Sequence, residues 1–282
     1  MFKAEDIAEY YNTTQIHYEQ WWDLARSYSL HYGIWNDTIK NFTEAAINTN
    51  KVMMELSEIQ DDDRILDAGC GVGGAAIFLC LQKNVRVTGI TLSQKQIDFA
   101  NALANKKGLS DSVDFQLMDY TQTSYPDESF DVIWACESVS SCPDKSLFIN
   151  EAHRLLKKGG KLILSDCFLT EDNQFDSKNW TKKWGKTWAV SNLSSGQSFV
   201  KTLDRIGFSN TKMIDYTNHI QRSAKRMYYA SLLAAIPSEL YKIINPKVSR
   251  FAKNHYKCGI YQYKALRENL WRYKVIVSVK DT

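Results

Sequence analysis

A glycine-rich segment in the first third of the chain has the residue types needed to hold a ligand. Asp67-Ala68-Gly69-Cys70-Gly71-Val72-Gly73-Gly74 follows an apolar run at 64–68 and precedes a helical pattern. Glycines there let the backbone turn tightly and approach a ligand, and the first helical turn offers unpaired N–H groups. The segment therefore predicts a ligand-binding loop. Its glycines also have the G-x-G-x-x-G spacing of dinucleotide-binding loops, so that class of ligand stays open at this point.

A single carboxylate follows a later apolar run. Glu137 comes directly after the run 130–136, which reads as a buried strand. Ligands of parallel α/β sheets bind at the carboxyl ends of the strands, so we expect Glu137 to face the binding crevice. A carboxylate there can act as a general base or stabilise positive charge on a substrate. The alternative is that Glu137 caps the helix expected near Pro143 or holds the loop.

Strand and helix patterns alternate around these two segments. Helical periodicity predicts helices at 73–82, 93–107 and 143–157, and apolar runs predict strands at 64–68, 84–90, 112–117, 130–136 and 161–166. This alternation is typical of a parallel sheet covered on both faces.

The two ends of the chain are mostly helical in pattern. Residues 1–35, 38–59 and 171–205 predict helices, and 218–267 predicts helices broken by Pro237 and Pro246. A late strand is expected at 208–216. The period-two pattern of 270–280 predicts a closing strand.

The composition disfavours several classes of protein. With 44% hydrophobic and 24% charged residues the chain resembles ordinary globular proteins, and a net charge of +3 disfavours a nucleic-acid partner. No run of about 18 apolar residues predicts integral membrane association, and the N-terminus has no signal-peptide core. Six cysteines without C-x-x-C spacing predict buried free thiols and a cytoplasmic protein. Five histidines without ligand spacing predict no metal site.

Several of these segments resemble one family. Asp67 through Gly74 resembles motif I of the class I methyltransferases that use S-adenosylmethionine. The segment 89–96, G-I-T-L-S-Q-K-Q, is similar to the G-[IL]-T-L-S-x-x-Q segment of one branch, which contains tocopherol methyltransferases, sterol C-methyltransferases and cyclopropane fatty-acid synthases. Residues 11–14 and 31–35 resemble the aromatic N-terminal cap of that branch. The resemblance runs from about residue 10 to 167 and returns at 270–273.

The resemblance implies a Rossmann-like α/β fold with a seven-stranded, mostly parallel sheet, an antiparallel last strand, an N-terminal helical cap and helical insertions in the C-terminal third. We expect one domain over 1–282. Within it, 1–59 would form the cap, 60–170 the cofactor-binding core, 171–267 the substrate-covering helices with one late strand, and 268–282 the closing strand.

The resemblance also implies the cofactor, S-adenosylmethionine, and the residues that hold it. Gly69 and Gly71 would meet its methionine part, Asp67 would orient its amino group and Tyr11 would close the site. The remaining contacts would be Thr91 and Gln96 with the ribose region and Asp119 with the adenine amino group. Each residue also has a structural alternative. Asp67 and Asp119 could stabilise a turn or cap a helix, and Thr91 and Gln96 could belong to a helix N-terminus. Tyr11 could pack in the core.

Aromatic side chains are the candidates for the substrate wall. Trp180, Trp184 and Trp188 recur every four residues, and Trp21 and Trp35 belong to the cap segment. Rings there could pack on an apolar substrate or attract a cationic one; the alternative is a buried aromatic stripe. One residue departs from the family pattern: Ser141 stands where tocopherol and sterol enzymes usually carry a histidine.

The basic cluster 221–226 lies outside the resemblance. It is interpreted as a solvated helix face or as an anion site.

The function that these observations favour is methyl transfer from S-adenosylmethionine to a small apolar, isoprenoid-like or aromatic metabolite, at carbon, nitrogen or oxygen. One alternative is an N-methyltransferase of a small amine of the glycine or phosphoethanolamine type. Two others lie outside this class: an NAD-dependent oxidoreductase and a non-catalytic cofactor-binding protein. Gly89-Ile90-Thr91 closes the second strand where dinucleotide-binding proteins carry an acidic residue, which weakens the oxidoreductase alternative. The oligomeric state is not predicted.

Overall fold

A continuous seven-stranded sheet forms the centre of the computed structural model, which describes residues 2–21, 24–245 and 247–281. The strand order is β3-β2-β1-β4-β5-β7-β6, and β7 runs antiparallel to both of its neighbours while the other pairs are parallel. The strands are β1 (Arg64–Ala68), β2 (Arg86–Thr91), β3 (Val113–Leu117), β4 (Phe130–Cys136), β5 (Leu156–Leu169), β6 (Phe208–Asp215) and β7 (Trp271–Lys280). The expected mostly parallel sheet with an antiparallel last strand is confirmed.

Helices flank the sheet, and they also begin the chain and fill most of the region between β6 and β7. They are α1 (Ala4–Trp21), α2 (Leu24–Ser27), α3 (Phe42–Ser57), α4 (Gly74–Gln82), α5 (Gln94–Lys107), α6 (Lys145–Leu155), α7 (Trp180–Thr187), α8 (Gly196–Ile206), α9 (Gln221–Ile244) and α10 (Arg250–Arg267). None of the described helices is both long enough and apolar enough to cross a membrane.

Local capping chemistry sets the helix ends that border the binding crevice. The Ser93 side chain accepts the N–H of Gln96 at 3.2 Å and so begins α5, which ends at Gly108 in the left-handed region. The Asp144 carboxylate accepts the N–H of Ser146 at 2.9 Å and begins α6. Both loops that follow β2 and β4 are therefore fixed from their helical side.

The N-terminal segment differs from the prediction of a mostly helical region through Gly33. Among the described residues up to Trp35, helix is present in α1 and α2, and residues 28–35 have no regular secondary structure. From Tyr32 onward the backbone N–H groups bond to distant partners instead of to a helical turn. The N–H of Ile34 donates to the Thr49 hydroxyl at 2.9 Å, and that of Trp35 donates to the His219 carbonyl at 2.9 Å. Tertiary hydrogen bonds thus replace local ones here.

The C-terminal third also departs from the prediction. Residues 171–205 contain two helices separated by loops rather than continuous helix, and Pro237 lies inside α9 without ending it. Pro237 is exposed, so the carbonyl that loses its N–H partner can bond to water. Pro246 lies outside the described residues. Strand β5 is longer than predicted at both ends, because Leu156 pairs with Phe130 of β4 and because β7 pairs with β5 continuously from Lys161 to Leu169.

Three tryptophans stack where α7 packs against the last strand. The ring of Trp184 lies 5.1 Å from that of Trp188 and 5.2 Å from that of Trp271, and Trp184 and Trp271 are both fully buried. Trp271 also donates its indole N–H to the Gln262 carbonyl at 2.9 Å. This cluster joins α7 and α10 to the sheet.

The cluster yields a stability prediction. We expect Trp184→Ala to lower the free energy of unfolding by about 3–5 kcal/mol, because a large aromatic side chain leaves a cavity. Trp180→Ala is the matched control: its ring is half-buried against Tyr261, so the loss should be roughly 1 kcal/mol. Urea unfolding followed by circular dichroism measures both. Equal losses would contradict the assignment of Trp184 to the core.

Candidate functional site

A cavity lies at the carboxyl ends of β1, β2, β3 and β4 and is covered by the N-terminal segment. Its polar lining comes from the loops after these strands, and its cover comes from α1 and segment 28–31. The lining includes Tyr11, His31, Asp67, Gly69, Gly71, Thr91, Gln96, Asp119, Glu137, Ser141 and Trp188. The cavity therefore gathers every cofactor residue that the resemblance implied.

The glycine loop brings its backbone against neighbouring segments where a side chain would not fit. Gly69 has a φ of +86°, and a Cβ there would lie 2.4 Å from the Cβ of Ser138. Gly71 has a φ of +51°, and its Cβ would lie 3.2 Å from Leu30. Both positions need glycine for conformation and for space. The loop consequently presents bare backbone to the cavity.

Asp67 ends β1 as a buried carboxyl with an unsatisfied oxygen. Only 1% of its surface is exposed, and within the described part of the chain its Oδ2 has no hydrogen-bond partner. Burial raises the pKa of Asp67 to about 7. An orphaned buried acceptor is costly unless a ligand donates to it. Asp67 therefore fits a cationic or hydrogen-bond-donating ligand such as the amino group of S-adenosylmethionine.

Thr91 and Gln96 are brought together by the turn between β2 and α5. The Thr91 hydroxyl donates to Oε1 of Gln96 at 2.6 Å, and both side chains are buried. Because the amide oxygen is used in this way, Nε2 is the end of Gln96 that can donate to a ligand. The pair fits a hydroxyl-bearing group such as a ribose.

Asp119 lies after β3 at the far side of the cavity. Its Oδ1 accepts the N–H of Thr121 at 2.8 Å and the hydroxyl of Thr121 at 2.7 Å. This turn fixes the carboxylate orientation, and Oδ2 remains to accept from a ligand. The turn chemistry and the proposed binding role of Asp119 are thus compatible.

Glu137 connects three distant parts of the chain. Its Oε1 accepts the backbone N–H of Tyr32 at 2.6 Å and the hydroxyl of Tyr273 at 2.8 Å, and its own N–H donates to the Ser165 carbonyl at 2.8 Å. Burial raises the pKa of Glu137 to about 8, although the bonds from Tyr32 and Tyr273 oppose this rise. Asp144 caps α6, so the capping alternative for Glu137 is excluded.

Two residues of the N-terminal cover complete the polar lining. Burial raises the pKa of Tyr11 to about 12, so its phenol is neutral at physiological pH. His31, which sequence reasoning passed over as part of the aromatic cap, also lines the cavity. Its Nδ1 donates to the Tyr32 carbonyl at 2.9 Å, since a carbonyl only accepts, and Nε2 is then the basic atom. Burial lowers the pKa of His31 to about 4. A lone histidine carries no spacing signal, so the sequence did not point to it.

The five candidate substrate tryptophans separate in the structure. Trp188 lines the cavity, whereas Trp184 is fully buried behind it. Trp180 stacks on Tyr261 outside the cavity lining. Trp35 donates its indole N–H to Ser223 at 2.9 Å and lies outside the lining too. These three rings pack against other side chains of the protein: Trp184 against Trp188 and Trp271, Trp180 against Tyr261, and Trp35 against Ser223. The side chain of Trp21 lies outside the described residues.

No metal centre accompanies this lining. Over residues 2–21, 24–245 and 247–281, no group of three or more His, Cys, Asp or Glu side chains is arranged to hold a metal ion. All six cysteines are free, as expected, and four of them are buried.

Comparison with known proteins decides the family. Residues 66–164, which contain the glycine loop and the ends of β2, β3 and β4, match the family described as "Methyltransferase domain". This region of the chain belongs to the class I S-adenosylmethionine-dependent methyltransferases. The antiparallel β7 between β5 and β6 agrees with this family and differs from the parallel strand order of dinucleotide-binding folds.

Individual relatives act on chemically different acceptors. The chain is 40% identical over 141 residues to 27-O-demethylrifamycin SV methyltransferase of Amycolatopsis mediterranei, covering 50% of this chain and 52% of that one. It is 30% identical over 226 residues to phosphoethanolamine N-methyltransferase 3 of Arabidopsis thaliana, covering 79% and 43%. The aligned part thus spans about half the length of these relatives. Tocopherol O-methyltransferases also match, as the sequence resemblance implied.

The fold is shared with a solved structure along the whole chain. A cyclopropane synthase of Mycobacterium tuberculosis superposes with a TM-score of 0.83 over 99% of each chain, at 16% sequence identity. An identity this low supports the fold alone. The shared fold does not identify the methyl acceptor, which we infer from the cavity.

The site yields a prediction for Asp67. We expect Asp67→Asn to weaken S-adenosylhomocysteine binding about 10- to 100-fold, since a charged acceptor for the amino group is lost. The same variant should raise the melting temperature of the ligand-free protein at pH 8 by about 5 °C. A carboxyl whose folded-state pKa is raised loses stability as the pH rises from its unfolded to its folded pKa, and asparagine avoids this loss.

Calorimetric titration and a thermal melt measure the two effects. Asp98→Asn, at an exposed position on α5, is the matched control and should change neither. Unchanged affinity in Asp67→Asn would contradict the assignment of Asp67 to the amino group.

Proposed function

We propose that the protein transfers the methyl group of S-adenosylmethionine to a small, mainly apolar molecule. The observation that carries the proposal is the buried carboxyl of Glu137, which lies in the same closed cavity as the glycine loop and Asp67. The cavity is otherwise lined largely by apolar and aromatic groups, including Tyr28 and Trp188. Such walls suit an apolar or aromatic acceptor better than a strongly hydrated one.

The donor half of the proposal rests on residues that fit the cofactor. When bound, S-adenosylmethionine supplies a sulfonium whose methyl group is electrophilic. The chain would hold its amino group on Asp67, its ribose on Gln96 and its adenine on Asp119, with the backbone of Gly69 and Gly71 against the methionine part. The cover formed by Tyr11 would exclude water. Positioning and water exclusion are the main contributions that such a reaction needs from a protein.

Glu137 would supply the charge complement at the reacting end. In the empty cavity its raised pKa keeps the carboxyl largely protonated at neutral pH. A sulfonium placed nearby favours the carboxylate, because an opposite charge stabilises the ionised form. The hydrogen bonds from Tyr32 and Tyr273 hold Oε1 of Glu137 in place whether the carboxyl is protonated or ionised. Glu137 would therefore steady positive charge on donor or acceptor rather than move freely as a base.

His31 makes an oxygen acceptor chemically feasible. The bond from Nδ1 to the Tyr32 carbonyl fixes the neutral tautomer whose Nε2 can accept a proton. A hydroxyl loses its proton readily once methyl transfer has begun, so a weak base suffices there. The similarity to 27-O-demethylrifamycin SV methyltransferase also supports an oxygen atom as the acceptor.

The second candidate is N-methylation of a small amine. The match to phosphoethanolamine N-methyltransferase favours it, and a product cation would use Glu137 and the ring of Trp188. No Lys or Arg is among the described residues that line the cavity, which gives the phosphate of such a substrate no cationic partner there. We therefore place the apolar acceptor first.

A pH-dependent binding prediction tests the charge role of Glu137. The ratio of the dissociation constants of S-adenosylhomocysteine and S-adenosylmethionine should rise with pH from about 6 to about 8 and then level off. The sulfonium compound prefers the carboxylate form of Glu137, whereas the neutral thioether does not distinguish the two forms. Asp67 affects both ligands alike and cancels in the ratio. Isothermal titration at each pH gives the two constants.

Glu137→Gln is the matched variant for this measurement, since it keeps the hydrogen-bond acceptor and removes the charge. Its ratio should be independent of pH. A wild-type ratio that stays flat across the same range would show that Glu137 does not face the sulfonium.

Methyl transfer itself is tested with labelled S-adenosylmethionine and an extract fractionated by polarity. We expect label in apolar, organic-extractable products, and we expect Glu137→Gln to lower the single-turnover rate on the labelled acceptor by about 10- to 1,000-fold. Label confined to small hydrophilic amines would favour the second candidate. Binding of S-adenosylhomocysteine without turnover on any fraction would favour a non-catalytic cofactor-binding protein, and binding of NAD alone would favour an oxidoreductase.

A further inference from the structure

The second half of α9 exposes a large apolar surface, which we call the α9 patch. Eight large side chains belong to it, and between 42% and 77% of each is exposed: Tyr229, Leu232, Leu233, Ile236, Leu240, Tyr241, Ile243 and Ile244. Together they present on the order of 800 Å², the contribution of one partner to an ordinary protein interface. Monomeric soluble proteins rarely expose a contiguous apolar patch larger than a few hundred Å².

The patch lies on one continuous side of the helix. Tyr229, Leu233, Ile236, Leu240 and Ile243 recur at intervals of four and three residues, the spacing of a single helix face. The packed side of α9 rests on α10, where Tyr228 and Tyr263 have ring centroids 4.7 Å apart. The exposed residues are thus not needed to join α9 to the fold.

The same helical pair carries a strong net positive charge. Residues 221–257 contain eight Lys and Arg and one acidic residue, Glu239, a net charge of +7. The whole chain has a net charge of +3, so the remaining residues carry −4. The basic cluster noted at 221–226 is the first part of this region. Apolar surface and positive charge are therefore concentrated on one part of the molecule.

We propose that α9 and the start of α10 bind the surface of a lipid bilayer that contains anionic phospholipids. An exposed apolar helix face flanked by Lys and Arg gains from both burial among acyl chains and attraction to anionic headgroups. A second copy of this chain is the less favourable occupant, because two surfaces of charge +7 would repel each other. This inference concerns binding and is independent of methyl transfer.

The position of the patch would bring the bilayer next to the cover of the cavity. The start of α10 packs on α1: the Tyr10 hydroxyl lies 3.0 Å from Nε2 of His255, and the Ser249 hydroxyl donates to Glu9 at 2.7 Å. Helix α1 in turn contributes Ile7 and Tyr11 to the cavity lining. A molecule dissolved in the bilayer would be close to the helix that covers the proposed site.

Vesicle co-sedimentation of the full chain tests the proposal. We expect binding to mixed phosphatidylcholine–phosphatidylglycerol vesicles, weaker binding as salt is raised, and little binding to phosphatidylcholine alone. Ile236→Ser/Ile243→Ser should weaken partitioning about tenfold or more. Lys225→Gln/Lys247→Gln should weaken it about fivefold for each charge removed.

Matched controls separate the patch from general apolarity and charge. Leu81→Ser/Phe175→Ser removes two exposed apolar side chains outside the patch, and Lys106→Gln/Lys158→Gln removes two exposed charges outside the region; both should bind like wild type. All the substituted positions are exposed, and a thermal melt checks that each variant is folded.

Two results would overturn the proposal. One is equal sedimentation of wild type and the two patch variants with anionic vesicles. The other is concentration-dependent dimerisation without lipid that Ile236→Ser/Ile243→Ser abolishes, since the patch would then face a second copy. S-adenosylhomocysteine titration of the same samples reports separately on the cofactor site.

Discussion

One carboxyl oxygen joins the N-terminal cover of the cavity to the closing strand of the sheet. Oε1 of Glu137, at the end of β4, accepts from Tyr32 in the N-terminal cover and from Tyr273 in the closing strand. These donors are 105 and 136 residues away in the sequence. Segment 28–35 has no regular secondary structure, so this contact and the bonds of Ile34 to Thr49 and of Trp35 to His219 fix its course. The cover of the cavity therefore depends on the side chain of Glu137, which also lines that cavity.

The electrostatics of the cavity follow from that arrangement. Two carboxyl groups, Asp67 and Glu137, are buried in it with raised pKa values, and no Lys or Arg is among the described residues that line it. An empty cavity of this kind is unfavourable at neutral pH, since each acid must stay protonated or remain an unpaired charge. S-adenosylmethionine carries an ammonium and a sulfonium, one positive charge for each acid. The buried acids lower the stability of the empty protein, and binding of S-adenosylmethionine can relieve this cost and so gain affinity.

Sequence patterns predicted the sheet, and the family resemblance pointed to residues that line one cavity, because both depend on local signals. The apolar runs, the glycines that need left-handed backbone and the G-I-T-L-S segment each specify a short stretch of chain. The pattern could not show that residues 28–35 lack regular secondary structure, because their partners are far away in the sequence. The spacing of Trp180, Trp184 and Trp188 indicated a helix face but not what that face meets, and only Trp188 reaches the cavity. His31 was missed for the same reason, since its role depends on the Tyr32 carbonyl and on burial.

The central claim is that Glu137 is neutral in the empty cavity and becomes a carboxylate when a sulfonium is placed beside it. Carbon-13 NMR of protein labelled at the glutamate carboxyl carbon measures this directly, with the Glu137 resonance identified by its loss in Glu137→Gln. At neutral pH we expect the chemical shift of Glu137 to move from the carboxylic-acid to the carboxylate value on addition of S-adenosylmethionine. We expect no such change with S-adenosylhomocysteine. An identical resonance in both complexes, or a carboxylate already present in the empty protein, would contradict it.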